Sequence, residues 1–301
     1  MSACNNVIIF GPTGSVGAAA ALQAHREGAK ITLAMRDTTK PIPSLSGISA
    51  DKIEADLTKP ETVKSAVRQS GAKIAFIYAI FGTSDHMRAS IVALKQAGIE
   101  TPVLLSSYSI QSDIYSVSPN DYVPWVHAQV EICLEEVFGK AGYVSVRPAY
   151  FASNTLWFQA GIQAGEVRHA NPEAEYDWIS PEDIGRVCGS ILAQGPRQST
   201  VWLLAPQRIS LRAAIGLIGG TIGKEIKVTK IPAQEALAAF QQNGTPEEVA
   251  KWIVRYITKD AGYEFRSHVY EEAVATLLTY TQNTPVTLQQ WLEENTHQFE
   301  A

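Results

Sequence analysis

Residues 7–17 read VIIFGPTGSVG, an apolar run followed by three glycines with two residues between neighbours. The apolar run predicts a buried strand, and the alanine-rich stretch after the glycines predicts a helix that ends near Gly28. Gly11 permits a tight turn, Gly14 lets a pyrophosphate approach the backbone, and Gly17 lets the helix pack closely on the strand. The first helical turn also leaves N–H groups unpaired, and these bind anions. The stretch predicts the phosphate-binding turn of a dinucleotide site, with a glycine-rich turn that binds nothing as the alternative.

The rest of the first half repeats this alternation of a short apolar run and a longer helical pattern. Strands are predicted at residues 7–10, 31–35, 52–55, 74–79, 103–105 and 144–146. Helices are predicted at residues 15–27, 60–69, 85–96 and 126–138. Parallel strands joined by crossover helices have this rhythm. The sequence therefore predicts an α/β protein with a doubly wound parallel sheet of the Rossmann type.

After Pro148 the alternation stops. Ser180 and Pro181 predict the start of a helix at residues 181–192, and a strand at residues 201–204 returns to the sheet. A further strand is predicted at residues 225–229, and helices are predicted at residues 211–222, 234–242, 246–256, 270–280 and 288–296. Helices therefore dominate the last third of the chain.

These elements divide the chain into two parts. Residues 1–150 and 176–205 are expected to form the dinucleotide-binding Rossmann domain. Residues 151–175 and 206–301 are expected to form a smaller, mainly helical substrate-binding region. No linker or repeat separates the parts, so we expect them to pack together.

The composition narrows the function classes. The chain has 25 Lys+Arg and 30 Asp+Glu, a formal net charge of −5, which argues against a nucleic-acid binder that works by bulk charge. Hydrophobic residues make up 46% and charged residues 18%, so the chain can bury a large core. The N-terminus has no basic segment followed by an apolar one, and no apolar run approaches the roughly 18 residues of a membrane span. We expect a cytoplasmic protein without a membrane or nucleic-acid partner, and the oligomeric state stays open.

Neither the cysteines nor the histidines suggest a metal site. Cys4, Cys133 and Cys188 lie far apart without a CxxC pair, as in proteins of a reducing compartment. The six histidines have no ligand-like spacing. We therefore expect no metal.

Charged residues after the second and third strands bear on the choice of cofactor. Arg36 follows the second strand, where the chain reaches the adenosine ribose, and a basic residue there suits a 2′-phosphate. We therefore expect NADP(H), whereas NAD is expected if the neighbouring Asp37 faces the ribose instead. Asp56 follows the third strand and either approaches the adenine amino group or forms a local turn.

Other candidates lie near the carboxyl ends of strands, where open α/β sheets bind their ligands. The expected cofactor contacts in the glycine turn and at these strand ends are Gly11, Thr13, Gly14, Ser15, Val16, Ala79, Ile80, Phe81, Ser106, Ser107, Tyr150 and Phe151. The expected contacts of a small-molecule substrate are mostly aromatic and comprise Tyr108, Tyr115, Asn154, Trp157, Phe158, Trp252 and Tyr256. Trp157, Phe158, Trp252 and Tyr256 are also compatible with plain core packing.

Several motifs together resemble the NmrA-like group of atypical short-chain dehydrogenases/reductases. They are GPTGSVG at 11–17, Arg36, the pair Ala55-Asp56, SSYS at 106–109, HAQVE at 127–131, VRPAYFASN at 146–154 and YDWISPEDIG at 176–185. The resemblance spans nearly the whole chain and implies a Rossmann domain that prefers NADP(H), plus a C-terminal substrate region. Members of the group include reductases of quinones, enones, imines and phenylpropanoid-like compounds, and also nucleotide-sensing regulators that catalyse nothing.

The chain departs from the wider superfamily at its catalytic dyad, a Tyr and a Lys spaced YxxxK. In the dyad the Lys holds the nicotinamide ribose and lowers the pKa of the Tyr. Here His127 stands at the Lys position and Val123 at the Tyr position, and Pro124 makes a regular helix before His127 doubtful. His127, with an ordinary pKa near neutrality, is expected to bond the ribose, to donate the proton, or to have no role. Tyr108 and the out-of-register Tyr122 are the other candidate catalytic residues.

Three functions are compatible with these observations. The first is an NADPH-dependent reductase of a small, largely apolar conjugated substrate such as a quinone, enone, imine or carbonyl compound. The second is a non-catalytic sensor of NADP(H) with a protein partner, and the third is an isomerase or dehydratase that keeps the fold. The reductase is favoured because the aromatic candidates exceed what nucleotide binding needs.

Overall fold

The computed structural model describes residues 5–259 and 269–300, so Cys4 lies outside the described part of the chain. The strands in chain order are β1 (Asn6–Phe10), β2 (Lys30–Met35), β3 (Ala50–Glu54), β4 (Ile74–Tyr78), β5 (Thr101–Leu105), β6 (Val144–Pro148), β7 (Glu166–His169), β8 (Glu175–Tyr176), β9 (Thr200–Leu203), β10 (Ile209–Ser210) and β11 (Lys227–Lys230). Seven of them form one parallel sheet in the order β3-β2-β1-β4-β5-β6-β9.

The helices cover both faces of this sheet and most of the C-terminal part. They are α1 (Ser15–Arg26), α2 (Pro60–Ser70), α3 (Arg88–Ala97), α4 (Tyr122–Phe138), α5 (Gln159–Ala164), α6 (Pro181–Gln194), α7 (Leu211–Ile222), α8 (Ala233–Gln242), α9 (Glu247–Lys259), α10 (Tyr270–Thr281) and α11 (Leu288–Glu294). Buried side chains of α1 and α6 pack on one face of the sheet. Those of α2, α3 and α4 pack on the other face. The doubly wound α/β fold and its helical C-terminal region are thereby confirmed.

The strand order reverses beside β1, which pairs with β2 on one side and with β4 on the other. Because the connections from β1 and β4 leave toward opposite faces, the carboxyl ends of these two strands border a crevice. Ligands of open α/β sheets bind in such a crevice. The glycine-rich turn directly follows β1 and therefore lies at this place.

The segment after β6 differs from the sequence expectation. Residues 152–158 form a 3₁₀ helix (Ala152–Phe158), and β7 pairs with β11 in a small parallel sheet where no strand was expected in this segment. A second small sheet joins β8 to β10. Strands of two to four residues are too short to show an alternating pattern, so the sequence could not reveal β7 or β8.

The doubt about a helix before His127 was wrong. Helix α4 begins at Tyr122, so Pro124 lies in its first turn. A proline is tolerated there because the N–H groups of the first turn have no partner within the helix. As a result Tyr122, Val123 and His127 share one continuous helix.

Among residues 5–259 and 269–300, no helix combines the length and the apolar character needed to cross a bilayer.

The contact between α1 and α6 leaves no room for a side chain at Gly185. A Cβ there would lie 2.3 Å from Cβ of Ala19 and 2.7 Å from the carbonyl oxygen of Val16. We expect Gly185→Ala to lower the free energy of unfolding by about 1–3 kcal/mol, because the helices must move apart. Urea denaturation measures this change.

Gly220 on α7 provides the matched control, because a Cβ there meets nothing within 4 Å. Gly220→Ala is expected to raise the free energy of unfolding by roughly 0.5–1 kcal/mol, since alanine favours a helix over glycine. Equal effects of the two substitutions would contradict the close approach of α1 and α6.

Candidate active site

The glycine loop, residues 11–17, joins β1 to α1 at the crevice. Gly11 has a φ of +69°, a conformation that glycine adopts most readily. A Cβ at Gly17 would lie 2.4 Å from the carbonyl oxygen of Gly11, so only glycine fits there. No side chain in the described residues caps α1, so the N–H groups of its first turn face the crevice unpaired and can bind an anion.

Next to the loop lies the Arg36 cavity, with a volume of about 390 Å³. Its lining includes Gly11, Thr13, Arg36, Lys40, Asp56, Tyr78 and Ile80. Two cations therefore face one cavity beside the carboxyl ends of β1 and β2. Such a pair attracts a phosphate group.

The two acidic residues of this cavity are engaged in local turns. Asp37 accepts hydrogen bonds from the backbone N–H (2.9 Å) and the hydroxyl (2.6 Å) of Thr39, which lower the pKa of its carboxyl. Asp56 accepts the corresponding bonds from Thr58, at 2.9 and 2.8 Å, which likewise lower its pKa. Arg36, in contrast, is exposed and has no ion-pair partner among the described residues. Arg36 therefore has the freer side chain toward a ligand.

The glycine cavity adjoins the Arg36 cavity and shares Gly11, Thr13 and Tyr78 with it. Its remaining lining comprises Gly14, Ser15, Val16, Gly17, Phe76, Leu105, Phe151, Ser153 and Pro181. Phe151 is held there by a parallel bridge to Ile179, next to the start of α6. Six of the expected cofactor residues, Gly11, the loop residues from 13 to 16 and Phe151, thus line this cavity.

The aromatic cavity follows, with Phe151 as the wall that it shares with the glycine cavity. It is lined by Ser107, Ser109, Val123, Ala149, Tyr150, Phe151, Asn154, Trp157, Trp252, Ile253, Tyr256 and Ile257. Trp252 and Tyr256 stack face to face on α9, with ring centroids 5.1 Å apart. The lining contains no charged side chain within the described residues, so the cavity suits an uncharged, flat, apolar molecule.

Three cavities thus lie in a row from Arg36 to Trp252, each sharing lining residues with the next, and we call this row the cleft. Four of the expected substrate residues, Asn154, Trp157, Trp252 and Tyr256, line its far end. Tyr150, expected at the cofactor, lines the same end and stacks on Tyr176 with a centroid distance of 3.9 Å.

His127 lies one turn beyond Val123 on α4, under the edge of the Phe81 ring, with centroids 5.4 Å apart. Its Nδ1 is fully buried without a hydrogen-bond partner in the described residues. Burial, together with the charge of Arg147, lowers the pKa of His127 from 6.5 to about 4 despite the opposing charge of Glu131. The expected near-neutral pKa was therefore wrong, because the imidazole loses more hydration than Glu131 compensates. His127 is uncharged at pH 7.

Below His127, a buried charged network joins α4 to the sheet. The carboxylate of Glu131 accepts hydrogen bonds from Nε (3.0 Å) and Nη2 (2.6 Å) of Arg147 on β6. It also accepts bonds from the hydroxyls of Ser106 (2.5 Å) and Ser145 (2.6 Å). Arg147 lies over the ring of Trp202, 4.9 Å from its centroid. The network fixes α4, and with it His127, against the ends of β5 and β6.

Several sequence candidates do not face the cleft. Tyr108 is fully buried and packs edge-on against Trp202, so it belongs to the core. Tyr115 is 60% exposed, and its hydroxyl donates to Glu135, two turns beyond His127 on α4. Neither is placed to donate a proton in this cleft, because the loop between β5 and α4 turns one ring inward and the other outward.

Three further candidates do not line the cleft, because their side chains pack or form hydrogen bonds elsewhere. The hydroxyl of Ser106 is committed to Glu131, as described above, so it is not free for a cofactor. Ala79 packs at the edge of the core beneath the sheet. Phe158 is buried and lines a separate cavity near β7. Tyr122, by comparison, contacts Phe81 with a centroid distance of 6.1 Å and so stays beside His127.

Tyr78 and Lys40 are among the cleft residues that escaped the sequence analysis. Tyr78 is the last residue of β4, and a Cβ at Gly11 would lie 2.6 Å from its ring. We expected the strand to continue to residue 79, which hid Tyr78 inside it. Lys40 follows Arg36 by four residues, and only the fold of the loop after β2 turns it toward the same cavity.

Within residues 5–259 and 269–300, no three His, Cys, Asp or Glu side chains come together as metal ligands would.

The buried histidines make stability depend on pH. The pKa values of His127 and His169 are each lowered from 6.5 to about 4, mainly by burial. Below pH 6.5 the unfolded chain binds protons that the folded chain does not. The free energy of unfolding is therefore expected to fall as the pH drops from 6.5 to 4, by at most about 3 kcal/mol per histidine.

Urea denaturation of His169→Leu across this pH range checks the expectation. The substitution should flatten the pH dependence, whereas His297→Gln, at an exposed site, should leave it unchanged. The same slope in both variants would contradict the assignment.

Comparison with known proteins agrees with this architecture. A model of the NmrA-like family matches residues 4–289. The nitrogen metabolite regulation-like protein bik4 of Gibberella fujikuroi is 36% identical, and the match covers 83% of this chain and 84% of that protein.

Solved structures share the fold at low sequence identity. An NADPH-dependent quinone oxidoreductase from Escherichia coli, solved with NADPH, has a TM-score of 0.74 at 16% identity, and the match covers 96% of this chain and 99% of that one. The leucoanthocyanidin reductase of Vitis vinifera, solved as a binary complex with NADPH, gives a TM-score of 0.74 at 16% identity over 97% of this chain and 99% of that one. The family match and the bik4 match confirm the resemblance inferred from the motifs: this chain belongs to the NmrA-like family.

Proposed function

We propose that the chain is an NADPH-dependent reductase of a small, largely apolar conjugated molecule such as a quinone, enone, imine or carbonyl compound. The observation that carries the proposal is the row of adjoining cavities, which has cations at one end and uncharged aromatic walls at the other. The reductases among the solved structures with the same fold support it. The division into residues 1–150 with 176–205, and 151–175 with 206–301, remains part of this proposal.

The crevice fits a dinucleotide with a 2′-phosphate. A Cβ at Gly17 would meet the carbonyl of Gly11, whereas at Gly14 the nearest atom is 3.6 Å away, so the loop is compact but open toward a ligand at Gly14. Arg36 and Lys40 provide the charge for the 2′-phosphate, and the first turn of α1 provides N–H groups for the pyrophosphate. NADPH bound there supplies a hydride to an electrophilic carbon or quinone.

The aromatic cavity can orient the substrate and exclude water from it. The stacked Trp252 and Tyr256 present flat apolar surfaces, and Asn154 supplies one amide that can orient a polar substituent. Because this lining holds no charged side chain in the described residues, a substrate with a delocalised uncharged ring system fits it best.

His127 takes the position of the ribose-binding lysine without its charge. An uncharged imidazole donates or accepts one hydrogen bond but does not lower the pKa of a nearby tyrosine as a lysine does. We therefore assign to His127 a hydrogen bond toward the ribose or the substrate oxygen through Nε2. Proton transfer from an imidazolium is not part of the proposal.

The second candidate is a non-catalytic sensor of NADP(H). It is favoured by the absence of the YxxxK dyad and by the name of the bik4 relative, a nitrogen metabolite regulation-like protein. Both proposed functions use the cofactor cavity. They differ in whether a substrate is bound and reduced in the aromatic cavity.

Loss of NADPH absorbance with a panel of quinones, enones, imines and aldehydes tests the proposal. Turnover of at least one class is expected, and Trp252→Leu should raise its KM more than Leu278→Ala, which alters an exposed residue of α10. NADPH binding without turnover of any class would reject the reductase in favour of the sensor.

A further inference from the structure

A second cavity lies outside the cleft, between the 3₁₀ helix at Ala152–Phe158, strand β7 and helix α8. It has a volume of about 210 Å³ and is lined by Trp157, Phe158, Ala160, Gly161, Glu166, Val167, Arg168, His169, Ala236, Ala239, Phe240 and Asn243. We call it the His169 cavity. An apolar cavity of roughly 150 Å³ can hold benzene, so this one has room for a single ring with a short substituent.

The walls of the His169 cavity are mostly apolar and aromatic. Trp157 and Phe240 meet edge to face with a centroid distance of 6.4 Å. The charged lining residues Arg168 and Glu166 are paired with Glu235 and Lys227, so their charges are already compensated. An uncharged apolar molecule is therefore favoured over an anion.

Among the polar residues of this lining, His169 is the buried one. Only 3% of His169 is exposed to solvent, and its ring lies edge-on to Phe158 with a centroid distance of 5.7 Å. Its Nδ1 accepts a hydrogen bond from the backbone N–H of Asn171 at 3.2 Å. Burial keeps the pKa near 4, so the ring is uncharged and its one proton lies on Nε2.

The Nε2–H group of His169 has no hydrogen-bond partner within the described residues. Nε2 is not fully closed off by the protein and His169 lines the cavity, so a ligand that brings an acceptor into the cavity can pair with this donor. The donor thus favours a ligand with a hydrogen-bond acceptor, and the surrounding walls favour a ligand whose remaining atoms are apolar.

From these observations we propose that the His169 cavity is a second small-molecule site. It takes an uncharged molecule with one ring and a hydrogen-bond acceptor, such as a carbonyl oxygen bound by Nε2 of His169. The site is separate from the cofactor and substrate cleft, although Trp157 forms a wall of both. Trp157 contacts Tyr150 on the cleft side, with a centroid distance of 6.1 Å, and Phe240 on the other.

Fluorine NMR with 4-fluoroacetophenone tests the proposal, because ligand in each cavity gives its own bound resonance. Ala239 on α8 lines the cavity and is exposed, so Ala239→Leu occupies space in the cavity without disturbing the core. We expect one bound resonance that is lost in Ala239→Leu and retained in Trp252→Leu, because Trp252 lines the substrate cavity and not the His169 cavity. Absence of any bound resonance, or its survival in Ala239→Leu, would overturn the proposal.

The acceptor preference is tested with 1-ethyl-4-fluorobenzene, which has the same shape without the carbonyl. The ketone is expected to bind about 2- to 10-fold more tightly, and His169→Phe should abolish that difference. Equal affinities for the two probes in the natural protein would refute the role of His169. Neither outcome depends on NADPH turnover, so this test is independent of the proposed reductase.

Discussion

Glu131→Ala is expected to lower the free energy of unfolding by about 3–5 kcal/mol. Glu131 is 1% exposed, and its carboxylate accepts four hydrogen bonds. Its removal leaves the guanidinium of Arg147, whose side chain is 7% exposed, buried without a counter-charge. The contacts of Arg147 with the carbonyl of Ile110 and with Trp202 do not replace that charge. Urea denaturation measures the loss.

The matched control lies on the same helix. Glu136 pairs with Arg88 at the surface, where both side chains are about half exposed, so Glu136→Ala should cost less than about 1 kcal/mol. The double variant Glu131→Leu with Arg147→Met should recover much of the stability, because it removes both charges together. A cost for Glu131→Ala no larger than that for Glu136→Ala would contradict the network.

His127→Ala is expected to lower turnover about 10²-fold while NADPH affinity changes only a few-fold, as for the loss of one hydrogen-bond donor to a developing negative charge. The pH profile gives the sharper test. Because the pKa of His127 is about 4, turnover should not decline between pH 5.5 and 8 through this residue. An imidazolium donor with an ordinary pKa would lose activity above pH 6.5.

Steady-state kinetics across that pH range checks both expectations, with His127→Asn as the variant that keeps a donor. Partial recovery in His127→Asn is expected. If cofactor affinity falls in step with turnover, His127 orients the ribose. Full activity in His127→Ala would show that the residue has no role, and a decline above pH 6.5 that the substitution removes would show an imidazolium acid.

The glycine loop and the charged residue after β2 could be predicted because each depends only on its neighbours in the sequence. Gly11 has a φ of +69°, which glycine adopts most readily, a Cβ at Gly17 would lie 2.4 Å from the Gly11 carbonyl oxygen, and Arg36 follows its strand directly. The seven-stranded sheet follows from apolar runs whose length and spacing exclude most other folds. Such features need no knowledge of distant parts of the chain.

The immediate surroundings of the site could not be predicted, because they depend on contacts between distant segments. The pKa of His127 is lowered mainly by burial, the ring that it contacts is Phe81 after β4, and the partner of Glu131 lies on β6. Tyr108 is turned inward by a hydrogen bond from its N–H to the carbonyl of Pro148. In the sequence, each of these residues is simply a polar or aromatic residue near a strand end.

Calorimetric titration of NADPH and NADH into the protein tests the central claim most directly. The cations of the Arg36 cavity predict that NADPH binds about 10- to 100-fold more tightly than NADH, the effect of one charge-assisted hydrogen bond. Arg36→Ala should remove most of this preference, whereas Arg26→Ala, on the exposed far end of α1, should leave it intact. Equal affinity for the two nucleotides in the natural protein, or no binding of either, would contradict the account.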